Sequence, residues 1–186
     1  MMDHIGIHQA HIHGYSMGGA ITGRLLASHP ERFITAGFGG SGIRESDPEW
    51  VDKVPPDPEG RDPQEAEASR NLRIAAAMAN GMARDEAEAL ADRPRETPRP
   101  ALSDQALAAA RRALQIDLTK VTIPVLAING EYDRPISKTH RMSRELSDFT
   151  NVVLPGKSHL TAIAAPYMPK EYLESVVRFI DANDPD

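Results

Sequence analysis

Residues 14–18 read Gly-Tyr-Ser-Met-Gly, and this five-residue stretch constrains the fold more tightly than any other. Ala10-His11-Ile12-His13 has strand character and leads straight into it. Residues 20–29 follow as a helix, with Ile21, Leu25 and Leu26 at helical spacing. A chain that passes from strand to helix in so few residues must turn sharply. The expectation is that Gly14 and Gly18, two positions either side of Ser16, are glycines because no side chain fits there. Such a turn lifts the Ser16 hydroxyl out of the sheet at a helix N-terminus, where unpaired N–H groups and the helix dipole favour negative charge. The Met17 N–H is then placed to donate to a developing oxyanion.

The rest of the chain repeats the alternation of strand and helix. Residues 3–7 read as the end of a helix closed by Gly6, and 33–38 as a second strand after the His29-Pro30 break. Residues 123–129, with Pro-Val-Leu-Ala-Ile at the centre, form a near-continuous apolar run, which suits a strand covered on both faces of a parallel sheet. A helix over 138–147, a strand over 151–154 and a closing amphipathic helix over 171–182 follow. This order predicts an α/β fold with about four parallel strands flanked by helices.

The middle differs in kind. In residues 44–115, 26 of 72 positions are charged and 8 of the chain's 15 prolines occur. An acidic, proline-rich loop is expected over 44–63. Alanine-rich helices are expected over 64–79, 85–91 and 104–114, the last capped by Ser103 after a connector over 93–100. Their charges read as solvated faces.

Composition excludes several classes. A net charge of −6 argues against nucleic-acid partners and against a polybasic membrane surface. The chain has no cysteine, so disulfides, thiolate nucleophiles and cysteine-ligated zinc are excluded. No apolar run approaches the ~18 residues of a membrane span. The start shows no secretory pattern, and a cytoplasmic location is the expectation.

A serine nucleophile needs a base, and the base an orienting acid. His159 lies in Pro155-Gly156-Lys157-Ser158-His159, just after the last strand. Asp133 lies in Gly130-Glu131-Tyr132-Asp133-Arg134-Pro135, just after the apolar strand. Both fall at strand C-terminal ends, where parallel sheets carry their sites. Glu131 is the rival acid, placed earlier in the same loop. The order Ser16, Asp133, His159 is that of a known serine-hydrolase arrangement.

With these residues in place, the chain resembles the C-terminal part of an α/β-hydrolase-fold protein of the esterase, lipase and lactonase-like group. The resemblance rests on residues 10–19 with Leu25-Leu26-Ala27-Ser28-His29-Pro30-Glu31-Arg32, on 123–133 and on Val152-Val153-Leu154-Pro155-Gly156-Lys157-Ser158-His159. It implies Ser16 as nucleophile, Asp133 as acid and His159 as base. It also implies that 1–43 and 116–186 make one catalytic core, with 44–115 inserted as a helical cap. A serine at the elbow disfavours dehalogenase and epoxide-hydrolase relatives, which carry aspartate there.

The resemblance departs from the family in one respect. The family's elbow follows the fifth of eight strands, whereas here it falls at residue 16. The expectation is therefore a partial sheet, its second half, from a reading frame that starts too late. The loop that supplies a second oxyanion N–H is expected to be missing. The strand over 10–13 would become an exposed edge, open to a homodimer.

The reaction class expected is attack on an ester-like carbonyl of a small-molecule substrate through an acyl-enzyme. No metal or organic cofactor is implied. Met78 and Met82 in the cap suggest a small or medium apolar acyl or leaving group. Haloperoxidase or C–C bond hydrolase chemistry on the same three residues, and a non-catalytic interaction module, are the alternatives. His8, His11 and His13 have metal-like spacing but read better as positions packed at the sheet edge. Gly39-Gly40-Ser41-Gly42 lacks a lysine at P-loop spacing and reads as a strand-end loop.

Overall fold

A computed structural model describes residues 2–59, 63–93 and 116–185 of the 186. The elements run β1 (Ala10–Tyr15), α1 (Met17–Ser28), β2 (Phe33–Gly39), α2 (Pro48–Val51), α3 (Pro63–Ala79) and α4 (Arg84–Asp92). After the undescribed segment come β3 (Val125–Gly130), α5 (Pro135–Glu145), β4 (Phe149–Leu154) and α6 (Lys170–Asp181). The four strands form one sheet in the order β1-β2-β3-β4, every pair parallel.

All six residues of β3 are buried, which accounts for its unbroken apolar run. Alternate side chains feed opposite faces. Val125 and Ala127 join Leu26 of α1, Phe38 of β2 and Met142 of α5 in one core; Leu126 and Ile128 join Leu154 and Tyr172 of α6 in the other. The outer strands β1 and β4 are hydrogen-bonded on one side only and are partly exposed.

Several boundaries differ from the sequence expectation. Residues 3–7 hold a 3₁₀ turn, Asp3–Ile5, closed by Gly6 at φ 73°, rather than the end of an α-helix. α1 starts three residues early, directly at Met17, and α5 starts at Pro135, where proline's missing N–H costs nothing. The helix expected over 104–114, its Ser103 cap and the connector 94–100 lie outside the described residues.

The proline-rich stretch 44–59 is anchored at several points. It carries the short helix α2, whose Asp47 caps it by accepting from the Glu49 N–H at 2.9 Å. Asp57 caps α5 across 79 residues of sequence, its Oδ1 accepting from the Ile136 N–H at 2.8 Å. Glu45 accepts from the Arg144 guanidinium at 2.9 Å, and that guanidinium lies 4.4 Å from the centre of the Trp50 ring. These contacts hold the segment along α5, from its first turn at Ile136 to its last at Arg144. Among the described residues, no helix is long and apolar enough to cross a membrane.

Candidate active site

Ser16 is the single residue between the end of β1 and the start of α1. Its backbone adopts φ 54°, ψ −109°, a conformation that costs a non-glycine residue about 1–3 kcal/mol. The Ser16 N–H donates to the Gly39 carbonyl at 2.8 Å and ties the turn to β2. Crowding around the turn is uneven. A Cβ on Gly14 would lie 2.2 Å from the Gly18 carbonyl oxygen, and one on Gly19 would lie 1.7 Å from Ser41 Oγ. A Cβ on Gly18 would meet nothing within 4 Å. The tight positions are therefore Gly14 and Gly19, and the expectation that Gly18 must lack a side chain is corrected. Met17 opens the first turn of α1 and is 77% exposed.

The structure brings Ser16, Asp133 and His159 into one line. The distance from Ser16 Oγ to His159 Nε2 is 2.8 Å, and from His159 Nδ1 to Asp133 Oδ2 also 2.8 Å. An ionised carboxylate can only accept, so Nδ1 carries the proton and donates to Asp133. Nε2 then holds the free lone pair and accepts from the Ser16 hydroxyl. That is the protonation state a general base needs before it acts.

The acid and histidine loops are laced together. The Tyr132 N–H donates to the Lys157 carbonyl at 2.9 Å, and the Glu131 N–H to the Leu154 carbonyl at 3.0 Å. Glu131, the rival acid, does not reach His159; its carboxylate accepts from the Gly156 N–H at 2.8 Å and braces the histidine loop. Tyr15 donates its hydroxyl to the His159 carbonyl at 2.6 Å, and burial pushes that phenol well above its ordinary value.

Three partners escaped the sequence reading. Lys138 on α5 places Nζ 2.6 Å from Asp133 Oδ1 and 3.0 Å from the Gly40 carbonyl, so both Asp133 oxygens are engaged. Burial pulls the Lys138 ammonium below the ordinary lysine value, while Asp133 opposes that shift. Glu65 on α3 is buried, contrary to the solvated role expected of the middle helices. Its Oε1 accepts from the Ser158 N–H at 2.9 Å and from the Ser69 hydroxyl at 3.4 Å, and it also takes the Thr161 hydroxyl. Ser69 reaches Ser158 Oγ at 2.9 Å, so α3 is bolted to the residue that precedes His159. Apart from Glu65 and Ser69, four apart on one helix, the partners lie 5 to 98 residues apart, and no spacing rule signals their contacts.

This network leads to a stability expectation. Glu65→Ala removes the main acceptor of the Thr161 hydroxyl and one of the two acceptors of the Ser158 N–H, the other being Thr161 Oγ1 at 3.0 Å, and is expected to cost about 1–3 kcal/mol. Glu65→Gln keeps an acceptor and is expected to cost about half as much or less. Urea unfolding checks both; an unchanged midpoint for Glu65→Ala would show the network to be energetically idle.

A cavity of about 730 Å³ opens over Ser16 and His159. Its lining includes Ser69 and Arg73 of α3, Arg44, Tyr132, Arg134, Lys138 and Leu160. Met78 and Met82 are not part of that lining, so the apolar lining expected from them is not found. The histidines of β1 have other work. His11 pairs with Thr35 Oγ1 at 2.9 Å and Asp184 at 3.2 Å; His13 Nε2 lies 2.7 Å from the Tyr172 hydroxyl. Burial lowers His13 below the ordinary histidine value, so its neutral ring accepts from Tyr172, whose own phenol is pushed up to about 12. Among the described residues, no cluster of three His, Asp or Glu side chains is placed to hold a metal ion.

The sheet order, the elbow and the site at the strand C-terminal ends define a hydrolase-like α/β fold. A family model described as the alpha/beta hydrolase family matches residues 1–174, and the chain belongs to that family. Among solved structures, the proline iminopeptidase of Mycobacterium smegmatis aligns with a TM-score of 0.53 at 21% identity, over 98% of this chain and 68% of that one. A point variant of CumD, the meta-cleavage product hydrolase from Pseudomonas fluorescens IP01, aligns at 0.54 and 21%, over 98% and 68%. MGS-M2, an alpha/beta hydrolase enzyme from a Medee basin deep-sea metagenome library, aligns at 0.54 and 20%, over 100% and 70%. The chain thus spans about two thirds of these proteins, and likeness at this identity establishes the fold alone. Among curated proteins, none matches the sequence.

Proposed function

We propose that this chain is a serine hydrolase acting on an ester-like or related carbonyl through a Ser16–His159–Asp133 triad. The observation that carries the reading is the line of two 2.8 Å hydrogen bonds from Ser16 to His159 to Asp133 beneath an open cavity. Ser16 Oγ attacks the carbonyl carbon as its proton passes to His159 Nε2. The tetrahedral oxyanion forms beside the Met17 N–H at the α1 N-terminus, where the helix dipole favours it. Collapse breaks the bond to the leaving group, which takes the proton from His159 and departs as an alcohol or amine. Water then attacks the acyl-Ser16 ester by the same route, releasing the acid and restoring Ser16. Asp133 accepts from Nδ1 throughout and stabilises the imidazolium. The helices α3 and α4 belong, in this reading, to a cap that shapes the substrate cavity.

A fluorophosphonate probe tests it. One equivalent is expected to attach at Ser16, with no labelling of Ser16→Ala and labelling slowed at least about 100-fold in His159→Ala. No labelling of the folded parent chain, or labelling unchanged in His159→Ala, would sink the reading.

A further inference from the structure

The whole chain carries a net charge of −6, yet its catalytic cavity is cationic. Four of the charged residues lining it are Arg44, Arg73, Arg134 and Lys138; the fifth is Asp133. Asp133 and Lys138 satisfy one another at 2.6 Å, which leaves three guanidinium groups over the cavity. None of the three makes an ion pair or hydrogen bond with another described residue. A carboxylate whose charge acts on Arg73 is Asp92, and both Asp92 oxygens are taken by Arg70 at 2.5 and 2.6 Å. Arg73 Nε is buried and unpartnered. A buried N–H without an acceptor is costly and a guanidinium can only donate, so Arg73 calls for an acceptor, and an oxygen anion is the acceptor that also offsets its charge. Arg44 stands close enough to Lys138 to disfavour its charge, while Asp133 and Asp57 favour it.

We propose that the cavity selects substrates that carry an anionic oxyacid group, carboxylate or phosphate, with Arg73 as its principal anchor and Arg44 and Arg134 completing the cationic rim. The planar fork of arginine matches either group with two parallel hydrogen bonds. This inference rests on the hydrolase reading for the identity of the scissile bond, but not for the binding itself. The cavity is large enough for a medium-sized ester whose far end reaches the guanidinium groups while its carbonyl lies at Ser16.

The test uses binding to the Ser16→Ala protein, which cannot turn an ester over. Calorimetry compares para-nitrophenyl hexanoate with two analogues of similar length, one ending in a carboxylate and one in a phosphonate. At least one anionic ester is expected to bind about 10-fold tighter than the neutral one, equivalent to one charge-assisted contact. The tighter of the two identifies the oxyacid. The preference is expected to shrink in ~1 M salt, to fall in Arg73→Gln, and to vanish in Arg44→Gln/Arg73→Gln. Arg44 is exposed, so its single variant tests the field without a packing change. Neutral and anionic esters binding alike, or a preference that survives the double substitution, would overturn the proposal. Because no covalent step is read, a failed fluorophosphonate experiment would remove the nucleophile and leave this result standing.

Discussion

Asp133→Asn is expected to lower kcat by about 10⁴-fold, and the reason lies in Lys138. In the parent chain both Asp133 oxygens accept, one from His159 Nδ1 at 2.8 Å and one from Lys138 Nζ at 2.6 Å. An asparagine has one accepting and one donating end. Lysine ammonium can only donate, so it captures the amide oxygen and turns the NH₂ group toward His159. Nδ1 must then accept, the ring proton moves to Nε2, and His159 can no longer receive the Ser16 proton. The buried lysine thus commits the variant to the wrong tautomer, where an exposed site would let the amide rotate. Hydrolysis of an activated ester measures the loss, and fluorophosphonate labelling should slow in parallel. Adding Lys138→Met to Asp133→Asn frees the amide and is expected to recover part of the activity. A single variant within tenfold of the parent would show that Asp133 does not set the tautomer.

The second large effect is on folding. Gly14→Ala is expected to cost at least about 3 kcal/mol and to lower Tm by about 6–12 °C. The new methyl group would lie 2.2 Å from the Gly18 oxygen, 2.3 Å from its carbonyl carbon and 2.7 Å from the Gly19 nitrogen. All three are backbone atoms in the first turn of α1, and no rotamer change moves them away. Gly18→Ala is the matched control. It meets nothing within 4 Å and sits in a helix, where alanine is favoured over glycine by roughly 0.5–1 kcal/mol. Thermal and urea unfolding should therefore separate the two variants in sign as well as size. Equal destabilisation by both would contradict the close packing at Gly14.

The contrast between Gly14 and Gly18 also marks how far the sequence could be read. The strand-turn-helix around Ser16 was legible because its signals are local: a short alternating strand, a glycine pair and helical periodicity. Asp133 and His159 were legible because each follows a strand in a loop of turn-forming residues. The motif did not reveal which glycine the packing needs, since Gly19 is held against Ser41 of a different loop. Lys138, Glu65 and Asp57 were invisible for the same reason. Each is a charged residue in a polar stretch whose partner is supplied by the tertiary fold. The solvated reading of the middle helices failed at Glu65 because a carboxylate can be buried when three donors converge on it. Likewise, the methionines of α3 and the following turn suggested an apolar lining, whereas the cavity receives the arginines instead.

The bolt between α3 and the histidine loop has a practical consequence for anyone redesigning this enzyme. The helix that places Arg73 at the cavity also holds Ser158 through Glu65 and Ser69. On the proposed function, substrate choice and alignment of the base share one mechanical support. Grafting another helix in place of 63–79 to change selectivity would also detune His159, unless the graft carries a carboxylate and a hydroxyl at positions 65 and 69. Libraries that vary Arg73 and its exposed neighbours while fixing those two residues should change substrate preference while keeping His159 aligned.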